Sequence, residues 1–208
     1  MEKVRVGLIG AGSAGLLHAL SYSQIPGKAQ LIAVCDVNET VAKSIAKTYK
    51  VEKTFTDYRK LLELKDVDAV SICLPHSLHA EVTEAAAEEG KHVLCEKPMA
   101  TNLKDAENMI DACKKNDVVL MVDHSRRCDA NFKKVKELID GKKIGDIKTI
   151  GSYCTAGLMN GGTHLFDLLR FYAGDVDSVS GNLKKDETTD TSGFGILQFK
   201  NGAICFVD

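Results

Sequence analysis

The chain has 208 residues, 44% of them hydrophobic and 27% charged, with a net charge of −2 at pH 7. This is ordinary globular composition, long enough for one large domain or two small ones. So small a net charge makes no case for nucleic acid or an anionic membrane as partner, and runs such as Lys133-Lys134 and Lys184-Lys185 read as solvated faces.

No apolar run approaches the length of a membrane span. The first residues lead straight into a core strand, leaving no room for a signal peptide, so the cytoplasm is the expected compartment. The seven cysteines are an odd number without a CxxC pair, and read as small buried hydrophobes with free thiols. His76-x-x-His79 has no further ligand cluster nearby, so no metal is expected.

Residues 4–9 form an apolar, β-branched run that reads as a buried parallel strand. It breaks into Gly10-x-Gly12-x-x-Gly15, after which Leu16, Leu17 and Leu20 recur at helical spacing. In a strand–turn–helix that holds a dinucleotide, Gly10 makes the tight turn and Gly12 lets backbone approach the pyrophosphate. Gly15 lets the helix pack close to the strand. Gly10, Gly12, Ser13, Ala14 and Gly15 are thus the expected cradle, at the free N–H groups and positive end of the helix. A second apolar run, 31–35, ends at Asp36, about 20 residues beyond the last glycine, where the ribose-binding acid belongs. A carboxylate there bonds both ribose hydroxyls and repels a 2′-phosphate, which favours NAD over NADP. The competing reading is a glycine-rich turn, with Asp36 an ordinary helix cap before Val41.

The pattern continues with a helix over 41–49, a brief strand over 51–55 and a helix from Asp57-Tyr58 through Leu64. A buried strand over 69–74 ends at Pro75-His76. A helix over 78–89 stops at Gly90, and a strand over 92–95 ends at Glu96-Lys97-Pro98. A helix from Asn102 to about Lys115 and a strand over 118–122 complete a doubly wound parallel sheet, residues 1–123. Beyond Asp123 the texture becomes α+β, residues 124–208. A helix over 131–140 is capped by Gly141, and 147–153 is strand-like. A helix over 163–172 precedes strands over 176–183, 193–199 and 203–207, with Asn201-Gly202 as a hairpin turn. This second, mainly antiparallel sheet ends at Asp208 with an edge that proteins normally cover; a fragment, or a partner supplying strands, is the expectation.

Ligands of open α/β sheets lie beyond the carboxyl ends of the strands. Three such ends converge on one crevice: Gly10 to Gly15, Pro75-His76 and Glu96-Lys97-Pro98. Lys97 is a long cation delivered there by a buried strand; a surface lysine at a loop start is the plain alternative.

Gly10-Ala11-Gly12-Ser13-Ala14-Gly15, Cys73-Leu74-Pro75-His76-Ser77-Leu78-His79, Glu96-Lys97-Pro98 and Gly161-Gly162-Thr163-His164-Leu165-Phe166-Asp167 occur in this order. In these motifs the chain resembles the Gfo/Idh/MocA oxidoreductases over essentially its whole length. The resemblance implies a Rossmann domain followed by an α/β domain whose open sheet forms a homo-oligomer interface. It also implies NAD(P)-dependent oxidation of a sugar, cyclitol or related polyol. Lys97 looks like the family's active-site lysine and His164 like its active-site histidine. Pro98 would fix the lysine geometry through a cis bond, and Pro75, His76, His79 and Glu96 join the cofactor contacts. An imidazole, with an ordinary pKa of about 6.5, suits a general base. Lys97 would hydrogen-bond the reacting oxygen or join a proton relay.

One departure concerns that relay. Many members carry an aspartate four residues before the histidine, where this chain has Asn160, which binds a hydroxyl but takes no proton. Asp167 would orient His164 or simply favour the helix dipole. The stretch between Lys97 and His164 is shorter than in typical members, and the family is longer by roughly a hundred residues, beyond the usual single-domain scale. A dinucleotide-binding sensor or truncated relic without turnover is the alternative these departures support.

Overall fold

The computed structural model describes residues 3–184 and 192–208; Lys185 of the Lys184-Lys185 pair lies outside them. The chain divides into two compact units, Met1–Asp123 and His124–Asp208.

The first unit alternates β1 (Val4–Ile9), α1 (Ser13–Gln24), β2 (Ala29–Cys35), α2 (Glu39–Tyr49), β3 (Lys53–Phe55) and α3 (Tyr58–Leu62). It continues with β4 (Ala69–Ile72), α4 (His79–Glu88), β5 (His92–Glu96), α5 (Leu103–Lys115) and β6 (Leu120–Asp123). The strands form one parallel sheet in the order β3-β2-β1-β4-β5-β6. Successive strand residues face opposite sides, so each apolar run feeds two cores. Leu8 and Val34 pack against Ala19, Ala42 and Ile45 of α1 and α2. Ile9, Ala33 and Ile72 pack against Leu61, Val82 and Met109 of α3, α4 and α5. This double burial is why the strands read as continuous rather than alternating. The helices start where a side chain can accept the orphan N–H groups: Asn38 caps α2 through Thr40 and Val41, Asp57 caps α3 and Asn102 caps α5. Asn38, not Asp36, is therefore the cap of the second helix.

The helix expected after the glycine turn is α1, and its leucines face outward. Leu16, Leu17 and Leu20 are exposed, and the face that meets the sheet is Gly15, His18 and Ala19. The helix lies so close at Gly15 that small residues do the packing, and the leucine stripe marks its outer side.

The second unit holds α6 (Ala130–Asp140), β7 (Thr149–Ser152), α7 (Thr163–Ala173), β8 (Val176–Lys184), β9 (Ser192–Phe199) and β10 (Ile204–Val207). Its sheet runs β7-β10-β9-β8, antiparallel except where β10 lies parallel to β7. Gly202, at φ 86°, closes the β9–β10 hairpin, where positive φ is free of strain. The inner face places Leu197, Phe199, Cys205 and Val207 against Leu169 and Ala173 of α7. On the alternate positions Phe194, Ile196 and Phe206 stand exposed.

Candidate functional site

In the strand order, β1, β4 and β5 are neighbours, so their carboxyl ends open side by side in the first unit. Gly10, at φ 93°, follows β1, and a Cβ there would stand 2.3 Å from the Cys73 carbonyl oxygen. A Cβ on Gly15 would stand 2.1 Å from the Gly10 carbonyl oxygen, whereas one on Gly12 would meet nothing within 4 Å. Gly10 and Gly15 are bare because protein backbone fills their Cβ positions. Gly12 is bare beside open space. α1 begins there with no capping side chain and no acidic residue in its first turn, while Gly12 and Ser13 are exposed and Ala14 half-buried. Uncapped N–H groups at the positive end of a helix make a seat for an anion.

Asp36 follows β2. Its Oδ2 accepts the Ala11 N–H at 2.7 Å and its Oδ1 the Asn38 N–H at 2.8 Å. The carboxylate is pinned beside the glycine turn, and each oxygen keeps a lone pair for a ribose hydroxyl. Together these residues fit a dinucleotide.

Pro75, exposed, opens a 3-10 turn over His76–Leu78 after β4. His76 is half-buried, its ring edge-on to His79 at 5.7 Å. His79 itself is fully buried, with Nδ1 2.8 Å from the Pro98 carbonyl oxygen and Nε2 2.9 Å from that of Leu74. A ring so enclosed has no edge left for a cofactor. The expectation that His79 binds one is corrected: it braces the β4 loop against the β5 loop. Lys97, half-buried, follows β5, and its peptide bond to Pro98 is cis. The Lys97 N–H donates to Glu96 Oε2 at 3.0 Å.

Sequence reasoning assigned His18 nothing, yet it is buried at the same sheet edge. Its Nε2 lies 3.3 Å from Glu96 Oε1 and 3.2 Å from Asp123 Oδ2. Burial, the largest influence, opposes charge on this ring. Hydrogen bonds to Asp123, Cys73 and Glu96 together outweigh it, and the pKa is raised from 6.5 to about 12. Glu96 moves the other way, lowered by His18 against the burial that would raise it. The three ligand atoms lie within 4.8 Å of one another, compact enough to surround a cation. The hydrogen-bond spacing puts the ring N–H in that place. The signal available in the sequence was a pair of acids ending adjacent strands, which calls for a positive neighbour.

In the second unit a π-helical turn, Leu158–Gly162, leads directly into α7. Asn160 is exposed on that turn and His164 is half-buried in the first turn of α7. Gly161 lies where a Cβ would stand 2.5 Å from Cys154 Sγ and 2.7 Å from Ala156 Cβ, so only glycine lets the turn approach this loop. Asp167, expected either to orient His164 or simply to favour the helix dipole, is gripped by Arg127. Nε lies 2.9 and 2.7 Å from its two oxygens and Nη2 is 2.7 Å from Oδ1. His124 Nδ1 stands 3.7 Å from Oδ2. This ion pair joins residues 40 apart and left no local signal.

Residues 4–124 match the family described as oxidoreductase family, NAD-binding Rossmann fold, and residues 155–208 match the GFO/IDH/MocA C-terminal domain. The myo-inositol 2-dehydrogenase of Thermotoga maritima is 35% identical over 227 aligned positions, covering 99% of this chain and 68% of the relative. A crystal structure of an oxidoreductase domain protein from Kribbella flavida superposes with a TM-score of 0.90 at 28% identity, covering 100% of this chain and 67% of that one. A levoglucosan dehydrogenase in complex with NADH and levoglucosan superposes with a TM-score of 0.89 at 26% identity, covering 99% and 66%. The chain spans about two thirds of the length of these relatives. With its glycine turn, its pinned Asp36 and its two matched regions, the chain belongs to the Gfo/Idh/MocA oxidoreductases and carries that family's NAD-binding Rossmann fold.

Proposed function

We propose that the protein is an NAD-dependent dehydrogenase that oxidises a secondary hydroxyl of a cyclitol or sugar. The observation that carries this reading is the open space at Gly12 beside an uncapped helix start and a pinned Asp36. The relatives that act on inositol and on levoglucosan supply the substrate class.

In this reading Gly12, Ser13 and Ala14 hold the pyrophosphate and Asp36 the adenosine ribose. Gly10 and Gly15 keep the turn tight, and Pro75, His76 and Glu96 shape the neighbouring wall. The nicotinamide, when bound, supplies the hydride acceptor. His164 takes the hydroxyl proton as the carbonyl forms, and Lys97 donates a hydrogen bond to the oxygen and stabilises its developing charge. Asn160 binds a substrate hydroxyl without exchanging protons. An amide at that position also favours a second reading, a dinucleotide-binding protein without turnover.

Phe194, Ile196 and Phe206 leave an apolar sheet face uncovered, which a second copy of the chain would bury. All seven cysteines are free thiols, which suits a reducing compartment, the cytoplasm. Among the described residues no helix is long and apolar enough to cross a membrane.

Fluorescence titration with NADH and NADPH, followed by a polyol screen with Lys97→Ala and His164→Ala beside the unaltered protein, tests the reading. Tight NADH binding, weak NADPH binding and turnover lost in both variants are expected. Full turnover in Lys97→Ala would sink the catalytic assignment. NADH binding with no turnover on any polyol would leave the second reading standing. Sedimentation of Phe206→Asp as a smaller species than the unaltered chain would support the oligomer.

A further inference from the structure

Glu96 and Asp123 are register partners on adjacent parallel strands, so both carboxylates leave the sheet on one face. Side by side and mostly buried, two like charges repel and lose hydration. His18 reaches both from α1, at 3.3 and 3.2 Å. The other titratable groups facing this ring are Cys73, beyond β4, and Tyr22, one turn along α1. Burial raises the pKa of each, so both stay uncharged near neutrality. The ring is therefore the positive group in a cluster of two acids and two neutral neighbours.

Glu96 carries the contact onward. One oxygen faces His18, and the other accepts the Lys97 backbone N–H at 3.0 Å. Asp123 at the end of β6 and Glu96 at the end of β5 thus share the single Nε2–H of His18, and Glu96 passes the contact on to the Lys97 backbone just beyond β5.

We propose that His18 is a positioning residue, which ties Glu96 to Asp123 and so sets the direction in which the end of β5 presents the Lys97 amine. The proposal rests on the active-site role given to Lys97 above. A merely space-filling histidine would affect how well the protein folds and leave the chemistry of Lys97 alone. A positioning histidine would change the surroundings of that amine in a protein that still folds.

The test follows the amine itself. The pH profile of Lys97 acetylation by acetic anhydride is read by mass spectrometry in the cofactor-free chain, relative to exposed Lys28 at the far end of the sheet. His18→Asn shortens the side chain so that it cannot span both acids. His18→Leu/Asp123→Asn removes one positive and one negative group together and so limits the charge imbalance. In either folded variant the Lys97 rate should change by about threefold or more while Lys28 is unmoved. A folded variant whose Lys97 profile superimposes on that of the unaltered protein overturns the proposal. Nitrogen-15 NMR of the unaltered protein needs no variant: Nε2 should carry a hydrogen-bonded proton throughout about pH 6 to 8, and an unprotonated Nε2 there overturns it equally. Lys97→Ala turnover reads the dehydrogenase assignment separately. Turnover lost in Lys97→Ala, with an unmoved Lys97 profile in the His18 variants, would reject the positioning role alone.

Discussion

Asp36 Oδ2 accepts the backbone N–H of Ala11 at 2.7 Å, so the acid that ends β2 also holds the glycine turn that ends β1. The contact ties the residue expected to choose between NAD and NADP to the shape of the pyrophosphate seat. Asp36→Ala should therefore act twice. Loss of a charged acceptor for the buried Ala11 N–H should cost about 1–2 kcal/mol of stability, read by urea unfolding. NADH affinity should fall by about tenfold and the preference over NADPH should shrink, read by titration with both. An intact preference would mean that another residue reads the ribose.

Gly12 and Gly15 belong to one motif and should fail differently. A Cβ at Gly15 collides with the Gly10 carbonyl oxygen, and one at Gly12 meets nothing. Gly12 has φ −71°, so alanine fits there without backbone strain. Gly12→Ala should leave stability within about 0.5 kcal/mol and weaken NADH binding by about tenfold or more. Gly15→Ala should cost about 1–3 kcal/mol by pushing α1 off β1. Equal losses of stability in the two variants would contradict this division.

The parallel sheet was legible because its central strands β1, β2 and β4 are buried on both faces and strand alternates with helical pattern along the chain. The glycine turn, Asp36 and the Glu96-Lys97-Pro98 end could be placed because a strand's last residue and its turn are adjacent in sequence. What escaped depends on contacts between distant residues. His79 resembled a cofactor contact, and only the fold shows the carbonyls of Leu74 and Pro98 enclosing it. The parallel pairing of β7 with β10 joins strands more than fifty residues apart, where a hairpin reading has no purchase. The π-helical turn before α7 has no periodicity of its own, and the closeness of Gly161 to Cys154 within it is a contact across the loop.

Arg127 and Asp167 form a multidentate ion pair in the second unit. The Asp167 side chain is 11% exposed and that of Arg127 40%, so deleting the guanidinium strands a carboxylate that has little water. Arg127→Ala should cost about 1–3 kcal/mol. Arg127→Lys should recover only part, because a single ammonium cannot reproduce the fork. If the reading of His164 is right, turnover should fall with it, since Asp167 lies three residues beyond His164 on α7, where the two side chains are neighbours on one helix face. Equilibrium unfolding and the polyol assay check the two effects separately.

Thiol labelling should distinguish Cys128 from the other six cysteines. Cys128 is exposed, whereas Cys35, Cys95, Cys113 and Cys205 are buried and Cys73 and Cys154 half-buried. Burial also pushes the Cys35 and Cys95 thiols up to about 12, leaving almost no reactive thiolate at neutral pH. A chromogenic disulfide reagent should find one fast thiol per chain, and Cys128→Ser should remove it. A fast reaction at Cys35 or Cys95 in the native protein would show that the sheet opens far more readily than its packing implies.

The pH dependence of stability should carry the signature of His18. Its folded pKa is raised from 6.5 to about 12, because the bonds to Asp123, Cys73 and Glu96 outweigh burial. In the unfolded chain the ring loses its proton near its ordinary value. The stabilisation is therefore complete below about 6.5 and is lost progressively as pH rises above it, by about 1.4 kcal/mol per pH unit at most. Glu96, held low by His18 against burial, loses its contribution only in acid and adds no slope in this range. The urea midpoint of the unaltered protein should fall between about pH 7 and 9. The midpoint of His18→Asn should begin lower and change less. Parallel declines would mean that the ring does not keep its proton in the folded state, and that the two acids are balanced by something other than His18.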